Sequence, residues 1–174
     1  YSHESLPYPN FTTPVEGPDA HPNAFWVSGV QRNPAKIFLG FQAANQINNA
    51  KGFVIVGNPC EPVTGYPNNG SKYNADDNIP NGDGIVKAVV SNSSHTDTEI
   101  SGVNNDQTWY FKIFPYNSNA GDDAFSYNYK TDGVPKFTVG STNGYNLDEN
   151  VDFVFLLPYT QDGSNALRDI IINE

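Results

Sequence analysis

Cysteine is nearly missing from this chain. Cys60 stands alone, which excludes an intrachain disulfide and the paired C-x-x-C spacings of structural zinc sites, and leaves the redox compartment open. Histidine is scarce too. His3, His21 and His95 lie in polar, proline-rich or turn segments without H-x-x-x-H or H-x-H spacing, and Cys60 is flanked by prolines. No nucleophile with an obvious base emerges from these residues, so catalysis is not expected. Methionine is absent, and a chain opening on Tyr1 is therefore expected to be a processed or excised product with any signal peptide already removed. No stretch approaches the roughly 20 apolar residues of a membrane span, so no span and a soluble product are expected. Positive charge is also in deficit. Nine basic residues against nineteen acidic ones leave a formal charge of −10, which repels phosphates and anionic lipid, and nucleic acid is not an expected partner.

What the chain does have is punctuation and rings. Charged residues make up only 16%, while 13 prolines, 15 glycines and many asparagines mark short strands joined by turns rather than long helices. Aromatic residues at 13% supply enough apolar surface to fold. A length of 174 residues suits one domain with appendages and is long enough to bury a core.

Residues 1–20 carry Pro7, Pro9, Pro14 and Pro18, which remove backbone donors and fix extended geometry, so an extended arm is expected there. Strand-like runs begin with FWVSGV from Phe25, then AKIFLGF with Ile37, Leu39 and Phe41 on one face, then GFVIVG. Residues 41–51 lack a sustained apolar stripe and read as a loop. Residues 58–84 form a long polar connection in which SKYN is expected to add a short strand. GIVKAVV and TDTEI follow, and then QTWYFKIFPYN, a central strand with Trp109, Phe111 and Ile113 on one face and Tyr110, Lys112, Phe114 and Tyr116 on the other. SYNYKTDGVPKFTVGST, VDFVFLL and RDIIINE are the remaining candidates, giving about nine strands at sandwich spacing.

The order of these segments resembles the fibronectin type III-like domains of exported proteins of Bacteroidota. GFVIVGNPCEPVTGYPNNGSKYNADDNIPNGDGIVKAVV is similar to that family's third strand, its Pro/Gly-rich excursion and its returning hairpin; HTDTEI with TWYFKIFPYN resembles its short strand and aromatic-rich sixth strand; and Tyr129-Lys130-Thr131-Asp132-Gly133 resembles the segment before its last strand. The resemblance covers residues 21–142. It departs at Trp109, where the family has the tyrosine of a tyrosine corner, and at Phe41, where the second strand often carries Trp; both exchanges keep a large aromatic in the core. The resemblance implies an immunoglobulin-like, fibronectin type III-like antiparallel β-sandwich acting as a spacer or binding module.

Two site expectations follow from the residues. Tyr110, Phe114 and Tyr116, extended by Tyr127 and Tyr129 if the next strand pairs here, form an outward aromatic face suited to stacking on sugars or anchoring a protein. The competing reading is that both faces of a central strand are covered, here by the extra terminal segments. The second expectation is calcium. Asp76, Asp77, Asn81 and Asp83 gather hard oxygen ligands in NADDNIPNGDG, without the spacing or closing Glu of an EF-hand, and the competing reading is a solvated turn. Gly121-Asp122-Asp123 is a weaker version of the same idea, and Tyr1-Ser2-His3 forms a square-planar copper or nickel site only with a free amine at Tyr1.

VDFVFLL is too apolar for a free tail and RDIIINE reads as an edge strand or as the opening of a lamin-tail-like domain, so the end of the chain is expected to pair within the domain or with another chain. The sequence thus leads to an all-β sandwich over residues 21–142, with an extended arm over 1–20 and a strand extension over 143–174. The expected role is a non-catalytic extracellular or cell-surface module, acting as a spacer or as a recognition domain for a protein or glycan, with no cofactor required and calcium as the candidate ion of the acidic loop. The alternatives are a fibre or adhesin subunit that self-assembles by terminal strand addition and, last, an accessory domain of a secreted carbohydrate-active enzyme.

Overall fold

The computed structural model describes residues 15–119 and 126–142. The chain divides into two units, Tyr1–Asn143 and Gly144–Glu174, and the second lies outside the described residues, as do VDFVFLL and RDIIINE.

The fold is all-β, with two antiparallel sheets. Strands β1 (Phe25–Arg32), β2 (Ala35–Phe41), β3 (Gly52–Pro59), β4 (Ile85–Val90), β5 (Asp97–Ile100), β6 (Thr108–Asn117), β7 (Asn128–Tyr129) and β8 (Lys136–Ser141) follow in chain order. The first sheet runs β1-β2-β5. The second runs β4-β3-β6, with β6 pairing β8 along its first half and β7 at its end. No helix among the described residues is long and apolar enough to cross a membrane; residues 41–51 hold only a 3-10 turn at Ala44–Gln46.

Alternation sets the core. Ile37, Leu39 and Phe41 on β2, Ile100 on β5, Phe53 and Ile55 on β3, and Trp109, Phe111 and Ile113 on β6 are all buried between the sheets. Period-two side chains on facing sheets interdigitate in this way, leaving every second residue for the opposite face. Phe41 and Trp109 both sit here. Phe41 packs edge-on against Phe53 at 5.3 Å, and Trp109 stacks near Phe111 while its indole N–H donates to Gln107 Oε1 at 2.9 Å.

The second sheet carries a further core on its outer face. Val54, Val56, Val86, Phe114 and Tyr116 point outward from β3, β4 and β6, and the connection over residues 60–84 folds back over them with Val63, Tyr73 and Ile79. Hydrogen bonds pin the connection on both flanks. Gly70 N–H donates to Tyr127 O at 2.8 Å, Tyr129 N–H to Asn69 Oδ1 at 2.7 Å, and Asp76 N–H to Val86 O at 2.7 Å. SKYN therefore forms no strand, contrary to expectation. Its backbone joins no ladder because Tyr73 turns inward, its ring 5.7 Å from that of Tyr129 and its hydroxyl accepting from Asn68 N–H.

Candidate functional site

The expected aromatic row divides in two. Phe114, Tyr116, Tyr127 and Tyr129 are buried, whereas Tyr110 is only half-buried. The expectation that all five face outward is thereby corrected. Among the described residues the cover comes from the connection over residues 60–84 together with β7, with Val63, Tyr73 and Ile79 in the same buried cluster as these rings; the terminal segments of the competing reading lie outside the described residues. The rings of Tyr116, Tyr127 and Tyr129 lie 5.2–6.2 Å from one another and cover each other's faces. A pocket of about 470 Å³ opens at the edge of this cluster, lined by Tyr73, Tyr116 and Tyr127 with Lys51, Lys72 and Ser118. Within that lining Lys51 Nζ donates to Ser118 O.

Burial leaves a chemical mark on the cluster. Removal from water, and then the neighbouring hydroxyls of Tyr73, Tyr127 and Tyr116, push the Tyr129 hydroxyl far above the ordinary tyrosine value. That hydroxyl donates to Ser71 O at 2.8 Å. A folded-state value above the unfolded one favours the neutral form in the fold. Its contribution is therefore complete below pH ~10 and is lost as pH rises beyond it. Melting temperature should fall with pH above ~10, and Tyr129→Phe should flatten that fall; a slope identical in the variant would remove Tyr129 as its source.

The acidic loop spends its side chains on its own geometry. Asp76 Oδ1 accepts from Lys87 Nζ at 3.1 Å, Asp77 Oδ2 from Asn74 N–H at 2.7 Å, and Asn81 Nδ2 donates to Asn68 Oδ1 at 2.6 Å. Asp76 and Asn81 hold φ of 69° and 61°, the left-handed region that Asp and Asn tolerate in turns. Lys87 explains the position of Asp76. Its side chain is only 7% exposed and its ammonium lies 5.3 Å from the centre of the Trp109 ring, so the carboxylate balances a nearly buried charge. Among the described residues no three His, Cys, Asp or Glu side chains converge as a metal group. A ligand held only by the folded state must raise stability, so adding millimolar calcium to metal-stripped protein is expected to leave the melting temperature unchanged. A rise abolished by Asp83→Asn would instead place the ion here. Gly121-Asp122-Asp123 and Tyr1-Ser2-His3 lie outside the described residues.

Tyr110 belongs to a different surface. It pairs with Val139 of β8, and the next outward pair is Lys112 with Phe137. Phe137 is 69% exposed and Val139 45%, so two apolar side chains stand in water beside Tyr110. The sequence reading missed both, although P-K-F-T-V-G alternates as an edge strand does. Among the described residues β8 pairs only with β6, and its six register pairs run without a shift. The edge of the other sheet differs, because β1 is broken by a register shift between Val27 and Gly29. Bulges of that kind blunt an edge against further pairing, and β8 has none. No family model matches the chain, and no curated protein matches it.

Proposed function

We propose that this chain is a non-catalytic, fibronectin type III-like recognition module of a secreted or surface-attached protein, and that it binds an extended segment of a partner protein along β8. The strand order β1-β2-β5 facing β4-β3-β6-β8 supports the fibronectin-like reading, and it agrees with the resemblance over residues 21–142. The observation that carries the binding role is the exposure of Phe137 and Val139, next to half-buried Tyr110, on a regular strand at the border of the sheet. Strand addition takes its affinity from main-chain hydrogen bonds along the edge and its specificity from alternate side chains, which here would meet Phe137, Val139 and Tyr110. Lys112 in the same row favours acidic residues among them.

Selection from a displayed library of linear peptides tests this reading. Alternating apolar sequences should emerge, with binding weakened roughly tenfold or more by Phe137→Glu, because a charge replaces an apolar contact at the centre of the patch. A library that yields no such sequence, or peptides indifferent to Phe137→Glu and Val139→Glu, would overturn it. The second reading, self-assembly into a fibre, draws on the same strand, which among the described residues pairs only with β6. It expects a solution mass that climbs above 19.1 kDa with concentration, whereas a partner-binding module stays monomeric.

A further inference from the structure

The opposite face of the sandwich carries a second arrangement that none of the foregoing uses. Ile37, Leu39 and Phe41 point into the core, so Phe38 and Gly40 of β2 point outward. Gly40 pairs with Trp26 of β1 on one side and with Asp97 of β5 on the other, which places Trp26, Gly40 and Asp97 in one row across the three strands. Gly40 is what lets the row close up. A Cβ there would lie 2.4 Å from Trp26 Cε2 and Cζ2, so the indole lies across the bare backbone of β2. The tryptophan is nevertheless 46% exposed. Neighbouring strands are spaced ~4.8 Å apart, so the Asp97 backbone stands about one strand spacing beyond the glycine that the ring covers.

The charges in this face are unequal. Glu99, in the adjacent row with Phe38, is neutralised by Lys36 Nζ at 2.8 Å. Asp97 is exposed and forms no side-chain hydrogen bond or ion pair with the described residues. An open indole beside an unbalanced carboxylate, on a chain of formal charge −10, is repulsive to anions and complementary to cations.

We propose that the outer face of the β1-β2-β5 sheet is a cation-recognition surface, on which Trp26 and Asp97 together seat a guanidinium or ammonium group of a basic partner segment. The ring supplies its negative face to the cation and the carboxylate supplies the counter-charge from the side, so that each compensates for the weakness of the other in water. Phe38 extends the apolar floor for the stem of the bound side chain. The surface is separate from β8, and binding here does not depend on the proposed role of that strand.

The test uses the full chain and an arginine-rich oligopeptide as probe, followed by the indole N–H resonances of the two tryptophans. The peptide should shift the Trp26 resonance and leave that of buried Trp109 in place. Trp26→Ala and Asp97→Asn should each weaken binding by roughly two- to fivefold, as expected for exposed cation–π and carboxylate contacts. Glu99→Gln, which removes the same formal charge from the same face, should do less. Equal weakening by Asp97→Asn and Glu99→Gln with no effect of Trp26→Ala would overturn the proposal in favour of diffuse attraction to an acidic protein. A Trp26 shift produced by a neutral oligosaccharide and not by the peptide would overturn it in favour of a sugar platform. All three positions are on the surface, and an unchanged urea midpoint in each variant separates lost binding from lost folding.

Discussion

Phe114→Ala should destabilise the protein about as much as Phe53→Ala, by about 3–5 kcal/mol in each case. The equality is the informative part. Phe53 lies between the sheets, where a large loss is unsurprising, but Phe114 points the other way from β6, toward the face for which the sequence alone leaves both a ligand surface and a covered face open. Both side chains are essentially inaccessible, at 0% and 1% exposure. Phe114 belongs to one buried cluster with Val63 and Ile79 from the connection over residues 60–84 and with Tyr127 and Tyr129 from the β7 region, so truncation leaves a cavity rather than a wet notch. Phe137→Ala provides the contrast. At 69% exposure it should change stability by no more than about 0.5 kcal/mol. Urea midpoints of the three variants measure this directly, given a constant slope with denaturant. A Phe114→Ala loss near that of Phe137→Ala would mean that the connection opens from the sheet in solution, and the outward row would again be a surface.

The inner core was legible because period two carries its own instruction. Ile37, Leu39 and Phe41, and Trp109, Phe111 and Ile113, alternate with residues of other character, and each set has one face to bury. The outer core was not legible, because its covering element has no period. Val63, Tyr73 and Ile79 are spaced irregularly among Pro, Gly and Asn, a composition that signals a polar loop and conceals three buried side chains. The rings of Phe114 and Tyr116 thus read as exposed when only the strand was considered. The acidic turn has a geometry of its own that its composition does not display. Asp76 and Asn81 stand where backbone φ is positive, and Asp76 also answers a lysine placed on β4, a long-range contact that ligand type cannot reveal. Trp26 was hidden by its own strand, since its significance rests on cross-strand register with Gly40 and Asp97, which becomes visible only once the strands are paired.

Gly52→Ala is expected to cost about 3 kcal/mol, the upper end for one added carbon in a packed core. Gly40→Ala should cost less than about 1 kcal/mol. Both glycines are in strands and both would bring a new Cβ impossibly close to a neighbour, so clash distance alone does not separate them. What separates them is the neighbour. At Gly52 the methyl would lie 2.1 Å from the Val90 carbonyl oxygen and 2.8 Å from the end of the Tyr116 ring. The first of these atoms belongs to the backbone of β4 and the second to a ring held among Tyr127, Tyr129 and the sheet, so relief requires β3 and β4 to part at the start of their ladder and the outer core to shift with them. At Gly40 the obstacle is the indole of Trp26, the far end of an exposed side chain that swings into water at little cost, while the lost flexibility of the unfolded chain offsets part of that cost. The pair therefore dissociates stability from recognition. Gly52→Ala should lower the urea midpoint sharply, whereas Gly40→Ala should leave it nearly in place and yet displace the Trp26 indole resonance, since the ring no longer has a bare strand to lie on. Comparable losses of stability at the two sites would show that the indole is locked into the sheet face and is not available to a ligand.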